Sequence, residues 1–154
     1  MNKNNYAVIM AGGIGSRFWP MSRESRPKQF IDILGIGETL IQQTFRRITK
    51  ICPKENIFIV TNKNYKELCI QQIPNIEENN ILLEPCMRNT APCIAYATFK
   101  IRSQNPEANM IIAPSDHLIA NEDKFVKVIA KGMKATKEND ILLAIGINPS
   151  RPET

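Results

Sequence analysis

Residues 6–30 read YAVIMAGGIGSRFWPMSRESRPKQF: a short apolar run opens directly onto three glycines within four positions, Gly12, Gly13 and Gly15. Arg17, Arg23, Arg26 and Lys28 follow, with Glu24 the single carboxylate among them. A run of this length and bulk reads as a buried strand. Glycine immediately after it lets the backbone turn sharply and come close to a ligand. At the carboxyl end of a parallel strand, clustered backbone N–H groups cradle phosphate oxygens, and arginine and lysine complete the attraction. Pro20 and Pro27 stiffen the segment, so that Arg17 and Lys28 are held. A solvated basic loop would show the same charges, but it would not need the strand, the glycines and the prolines together.

Outward from this strand, further short apolar runs recur at 57–60, 81–83, 110–113 and 141–145. Amphipathic stretches separate them. In TLIQQTFRRITKI (39–51), Ile41, Phe45, Ile48 and Ile51 recur at helical spacing, with Thr39 as N-cap and Pro53 just beyond. In TAPCIAYATFKIRSQ (90–104), Ile94, Ala97, Thr98 and Ile101 line one face, with Thr90 as cap and a proline in the first turn. EDKFVKVIAKGMKATKEN (122–139) repeats the pattern through Phe125, Val128, Ile129 and Met133. Strands apolar on both faces and separated by helices predict an α/β, Rossmann-like, mostly parallel sheet with flanking helices.

A chain of 154 residues, 43% hydrophobic, supports one domain. Its net charge of +5 suits phosphorylated small molecules as well as nucleic acid. No apolar run reaches membrane-spanning length and no signal peptide is visible, so we expect a cytoplasmic protein without a membrane partner. Cys52, Cys69, Cys86 and Cys93 form no CxxC pair, and with His117 as the lone histidine they read as reduced thiols rather than a zinc set. The glycine loop fits neither common phosphate motif. No Lys followed by Ser or Thr stands at Walker A spacing, and Phe18 occupies the last glycine position of GxGxxG. Aromatics are scattered through core patterns rather than interleaved with basic residues, which argues against nucleic acid.

These residues resemble a known family. AGGIGSRFWPMSRESRPKQF (11–30) is similar to the signature loop of the sugar-phosphate nucleotidyltransferases. Its W-P-x-S-R and P-K-Q-F wording resembles the mannose-1-phosphate guanylyltransferase branch. Phe18 and Met21 stand where that branch usually carries leucine. LLEPCMRNTAPCIAYA (82–97) and IIAPSDHLI (111–119) continue the likeness in order along essentially the whole chain.

The resemblance implies transfer of guanylyl from GTP to mannose 1-phosphate, giving GDP-mannose and pyrophosphate, with Mg2+ and without a protein nucleophile. Gly12, Gly13, Gly15 and Ser16 would hold the triphosphate, Arg17 its β and γ oxygens, and Lys28 the α-phosphate. Asp116, with Ser115 beside it in the nucleotide set, would be the metal ligand. Read alone, without the glycine loop, Asp116 is a turn or cap aspartate. His117 reads as structural, since a phosphate oxygen needs no base.

By the same resemblance, Glu84, Arg88, Asn89 and Thr90 would fall in the base-recognition segment. There Glu84 either accepts from the guanine edge or pairs with Arg88, and Asn89 and Thr90 either meet the base or begin a helix. Gly146 resembles the glycine that lets a strand approach the sugar; a plain turn glycine is the alternative. GINPSRPET (146–154) is similar to a stretch that continues in the family, so residues 1–154 are expected to be the N-terminal nucleotide-binding part of a truncated catalytic domain. A uridylyl- or thymidylyltransferase and a non-catalytic nucleotide- or RNA-binding module are the alternatives. Homo-oligomerisation is compatible with either.

Overall fold

The structure, a computed structural model, describes residues 2–86 and 88–146. Four parallel strands form its sheet in the order β3-β2-β1-β4. They are β1 (Asn5–Met10), β2 (Ile57–Thr61), β3 (Ile81–Leu83) and β4 (Asn109–Pro114). Ala7 of β1 lies opposite Ile57 on one side and Ile111 on the other, so β1 is central. Helices α1 (Leu40–Ile48), α2 (Lys66–Gln72) and α3 (Thr90–Gln104) make the three crossovers, and α4 (Glu122–Glu138) follows β4.

Both faces of the sheet are dry, which is why its strands read as continuous apolar runs. Ala7, Ile9, Ile57 and Ile59 face Ile41, Phe45 and Ile48 of α1, Cys69 of α2, and Ile129 and Met133 of α4. Val8, Phe58, Val60 and Leu82 face Cys93, Ala97 and Ile101 of α3. Each fully buried isoleucine contributes on the order of 2 kcal/mol. Thr39 caps α1 as expected, in a reciprocal arrangement where Gln42 Oε1 accepts from the Thr39 N–H at 2.8 Å.

Three expectations change. Residues 141–145 form no strand and are exposed. A strand exists only where a neighbour completes its ladder, and here the Ile141 N–H turns locally to Asn139 O at 3.0 Å, while Leu143 lies against Gly132 of α4. Val128 is 42% exposed, and Val126 packs on the core in its place, because the buried face of α4 runs through Phe125, Ile129 and Met133. At α3, the cap position belongs to Asn89 and Thr90 is the first helical residue.

Candidate functional site

Strand order explains where a ligand can sit. The chain steps from β1 to β2 to β3 in one direction, then returns through α3 to place β4 on the far side of β1. The loops leaving β1 and β4 both lead to helices on the same face of the sheet, so they lie side by side at the carboxyl ends of these neighbouring strands, where the strand order reverses, and flank a crevice. The first of these loops is the glycine stretch; the second carries Ser115 and Asp116.

The glycine loop is fixed by its carbonyls. Gln29 Nε2 donates to Ala11 O and Gly13 O, each at 2.9 Å. Thr61 Oγ1, at the end of β2, donates to Ala11 O at 3.0 Å, Asn62 Nδ2 reaches Gly12 O at 3.4 Å, and Ser22 Oγ donates to Gly15 O. Among the described residues, no protein acceptor meets the N–H groups of Gly12 through Ser16. Backbone donors without partners at an open surface are what an anion requires. Gly15 adopts the left-handed conformation, φ 64° and ψ 29°, and a Cβ there would stand 3.0 Å from Lys28 Cβ. Glycine at this position thus lets the loop close down on Lys28. Arg17 follows on the turn Ser16–Phe18, exposed and outside every ion pair of the described residues.

Lys28 and Asp116, 88 positions apart, meet in the crevice: Lys28 Nζ lies 3.3 Å from Asp116 Oδ2 and 3.4 Å from Asp116 O. The ammonium also stands 4.8 Å from the centre of the Phe18 ring. A cavity of about 330 Å³ beside the pair is walled by Phe18, Ile33, Leu34, Leu118 and Ile119. The Asp116 turn is held from beneath by α1. Thr44 Oγ1 donates to Ser115 O at 3.4 Å, and Arg47 Nη2 reaches His117 O at 3.4 Å. Arg47 is buried; it also bonds Thr44 Oγ1 at 2.9 Å and faces Glu122 Oε1 at 3.4 Å. Burial pushes its guanidinium below the ordinary arginine value, and the Glu122 charge opposes that shift. His117 is thereby a structural contact through its carbonyl.

The segment that carries Glu84 reaches the same crevice. Glu84 Oε2 would stand 2.9 Å from a Cβ at Gly12, so the absent side chain makes room for this carboxylate. Glu84 N–H donates to Thr61 O at 2.8 Å. No ion pair joins Glu84 to Arg88 among the described residues. Arg88 and Thr90 are exposed; Asn89 is exposed too, with φ 66° and ψ −166°, a strained backbone for any residue but glycine. Ser115 is buried at 3% exposure, its N–H bonded to Met10 O at 3.0 Å. Gly146 is exposed with open space at its Cβ position, and 147–154 lie outside the described residues.

All four cysteines are free. Burial pushes Cys52 and Cys69 up to about 12, and burial with the Glu84 charge pushes Cys93 up to about 11, so none of these three thiols is a nucleophile. No three of His, Cys, Asp and Glu converge to hold a metal among the described residues. A cage made only of protein groups is therefore absent there. The Asp116 carboxylate beside a loop with unpartnered N–H groups fits magnesium, which takes one or two carboxylates and completes its shell with phosphate oxygens and water. No helix among the described residues is long and apolar enough to cross a membrane. Arg26 is tied into the loop: it forms a tight turn with Arg23, and its Nε lies 3.4 Å from Phe30 O. The sequence reading missed Gln29, Thr61, Asn62 and Arg47. Its only signal for them was a polar side chain inside an apolar pattern.

A family model for nucleotidyl transferases matches residues 6–154. Mannose-1-phosphate guanylyltransferase 2 of Escherichia coli O157:H7 is 39% identical, across 96% of this chain and 31% of that protein. The alginate biosynthesis protein AlgA of Pseudomonas aeruginosa is 37% identical, across 96% of this chain and 30% of that one. The chain thus spans about a third of the length of these relatives. A crystal structure described as a mannose-1-phosphate geranyltransferase from Thermus thermophilus superposes with a TM-score of 0.76 at 29% identity, covering 88% of this chain and 39% of that one.

Proposed function

The chain belongs to the nucleotidyl transferase family, and from that premise we propose that it binds the nucleotide for transfer of guanylyl from GTP to mannose 1-phosphate. A phosphate oxygen of mannose 1-phosphate attacks the α-phosphorus of GTP in line; the bond from that phosphorus to the bridging oxygen breaks, and pyrophosphate leaves. No proton need be removed from the nucleophile, so the protein's contribution is positioning and charge stabilisation. The observation that carries this reading is the meeting of Lys28 and Asp116 at the switch point, beside a loop whose N–H groups have no protein partner among the described residues.

In the free chain these two charges neutralise each other. With nucleotide, Lys28 turns to the α-phosphate and Asp116 becomes a magnesium ligand, while Arg17 takes the β and γ oxygens that depart. Magnesium supplies neutralisation of the phosphate charge. Gly12, Gly13, Gly15 and Ser16 cradle the triphosphate, and Glu84, above Gly12, faces the base. The 39% identity to a guanylyltransferase favours GTP over UTP or dTTP. Calorimetric titration with GTP, UTP, dTTP and a short RNA, each with and without magnesium, tests it. Magnesium-dependent binding of GTP in clear excess of the others is expected; equal binding of every triphosphate leaves phosphate recognition alone, and RNA as the best ligand refutes the reading.

A further inference from the structure

We infer that Gln29 is a positioning residue that sets the polarity of the phosphate loop: by drawing the carbonyls of Ala11 and Gly13 into the protein, it leaves the neighbouring N–H groups for an anion. This rests on the proposal that the triphosphate lies against that loop, and it assigns the work to a residue that touches no ligand.

The geometry is specific. A primary amide has two N–H donors on one nitrogen, and here both partners are carbonyl oxygens at 2.9 Å, so only the amide nitrogen can face them. Gln29 is 3% exposed, on the turn Lys28–Phe30, and so cannot reach a ligand in the crevice. It follows Lys28 directly, which couples the loop's backbone to the placement of the lysine. Were the two carbonyls released, rotation of the peptide planes would turn oxygens rather than N–H groups toward the crevice, and an anion would meet like charge. Thr61 Oγ1 shares the task at Ala11 O, and it lies on a rigid strand end. Thus two buried side chains from different elements clamp one carbonyl, while Gln29 alone among the described residues holds Gly13 O.

The test separates polarity of the loop from general stability. Gln29→Met keeps length and volume but removes both donors. Affinities for GTP and for GMP are measured by calorimetry at fixed magnesium, with a melting curve for each protein. The expected result is a loss of about 10- to 100-fold for GTP, the range seen when a residue that orients a ligating group is removed, with a much smaller loss for GMP. A merely structural role would lower both affinities together, and that outcome, or an unchanged GTP-to-GMP ratio, overturns the inference. Should Gln29→Met fail to fold, Thr61→Val, which is nearly isosteric, carries the test. It is expected to narrow the same ratio by a smaller factor, and no narrowing there overturns the inference. Lys28→Ala is run alongside. If it weakens GTP binding while the Gln29 and Thr61 variants do not, the nucleotide site stands and the inference fails. If the parent chain binds neither nucleotide, the proposed function fails and takes the inference with it.

Discussion

Replacing Gly15 with alanine should damage both stability and the site, and the size of the effect follows from two separate terms. At φ 64° and ψ 29° the residue is left-handed, which costs an L-residue roughly 1–2 kcal/mol. The added Cβ also meets Lys28 Cβ at 3.0 Å and Lys28 N at 3.1 Å. The second of these is backbone and cannot swing aside, so the clash adds about 1–2 kcal/mol, toward the lower end of overpacking costs. Together they give about 3 kcal/mol, a fall in Tm of roughly 6–12 °C for a chain of this size. Relief of the clash must separate Gly15 from Lys28 and so displace the lysine from its place in the loop, so GTP affinity should fall as well.

Its neighbours supply the controls. Gly13→Ala meets nothing within 4 Å and carries no positive φ, so its melting should stay within about 0.5 kcal/mol of the parent. Any loss of GTP binding there reports a methyl group in the phosphate's path. Gly12→Ala meets only the mobile end of Glu84 at 2.9 Å, so it should melt normally and alter the choice between GTP and UTP. Differential scanning calorimetry and titration of the three variants decide the matter. If Gly15→Ala melted with Gly13→Ala, conformation and close approach would not be what requires glycine at position 15.

Other expectations follow from the same contacts. On the proposed function, Lys28→Ala in the full-length parent should lower kcat for guanylyl transfer by roughly 10²- to 10³-fold, as for loss of one preorganised donor, whereas Arg17→Ala should raise KM for GTP as well; steady-state kinetics separates the two. Neither should shift melting by more than about 1 kcal/mol, because the Lys28–Asp116 pair is partly solvated. Asp116→Asn should abolish the magnesium-dependent part of GTP affinity in a folded chain; unchanged magnesium dependence in a titration returns Asp116 to a turn role. Glu122→Ala strips the carboxylate from buried Arg47 and should cost about 3 kcal/mol in urea denaturation, at the lower end for a broken buried pair because Glu122 retains some exposure. Burial raises the Glu122 pKa, but bonding and charge from Arg46, then Arg47 and Lys50, outweigh it and hold the group below the ordinary glutamate value. The stability it contributes is therefore complete above about pH 4.3 and lost as pH falls through its own lower value, and Glu122→Ala should flatten that acid limb.

The α/β class was legible in the residues because burial on both faces forces strands to be apolar throughout, and helices to show their buried side at 3.6-residue spacing. The runs at 57–60, 81–83 and 110–113 sit inside observed strands for that local reason. The run at 141–145 has the same composition, yet lies exposed without a ladder, since being a strand depends on a neighbour that no local pattern encodes. The glycines, Arg17, Lys28 and Asp116 could be picked out from spacing and family likeness. Only the strand order β3-β2-β1-β4 brings Lys28 to 3.3 Å from Asp116, because the return crossover sets the loops after β1 and β4 side by side. Gln29, Thr61 and Arg47 were invisible as parts of the site. Their carbonyl partners lie 16 to 70 positions away, and a hydrogen bond to a backbone oxygen leaves no mark on the identity of the residue that accepts it.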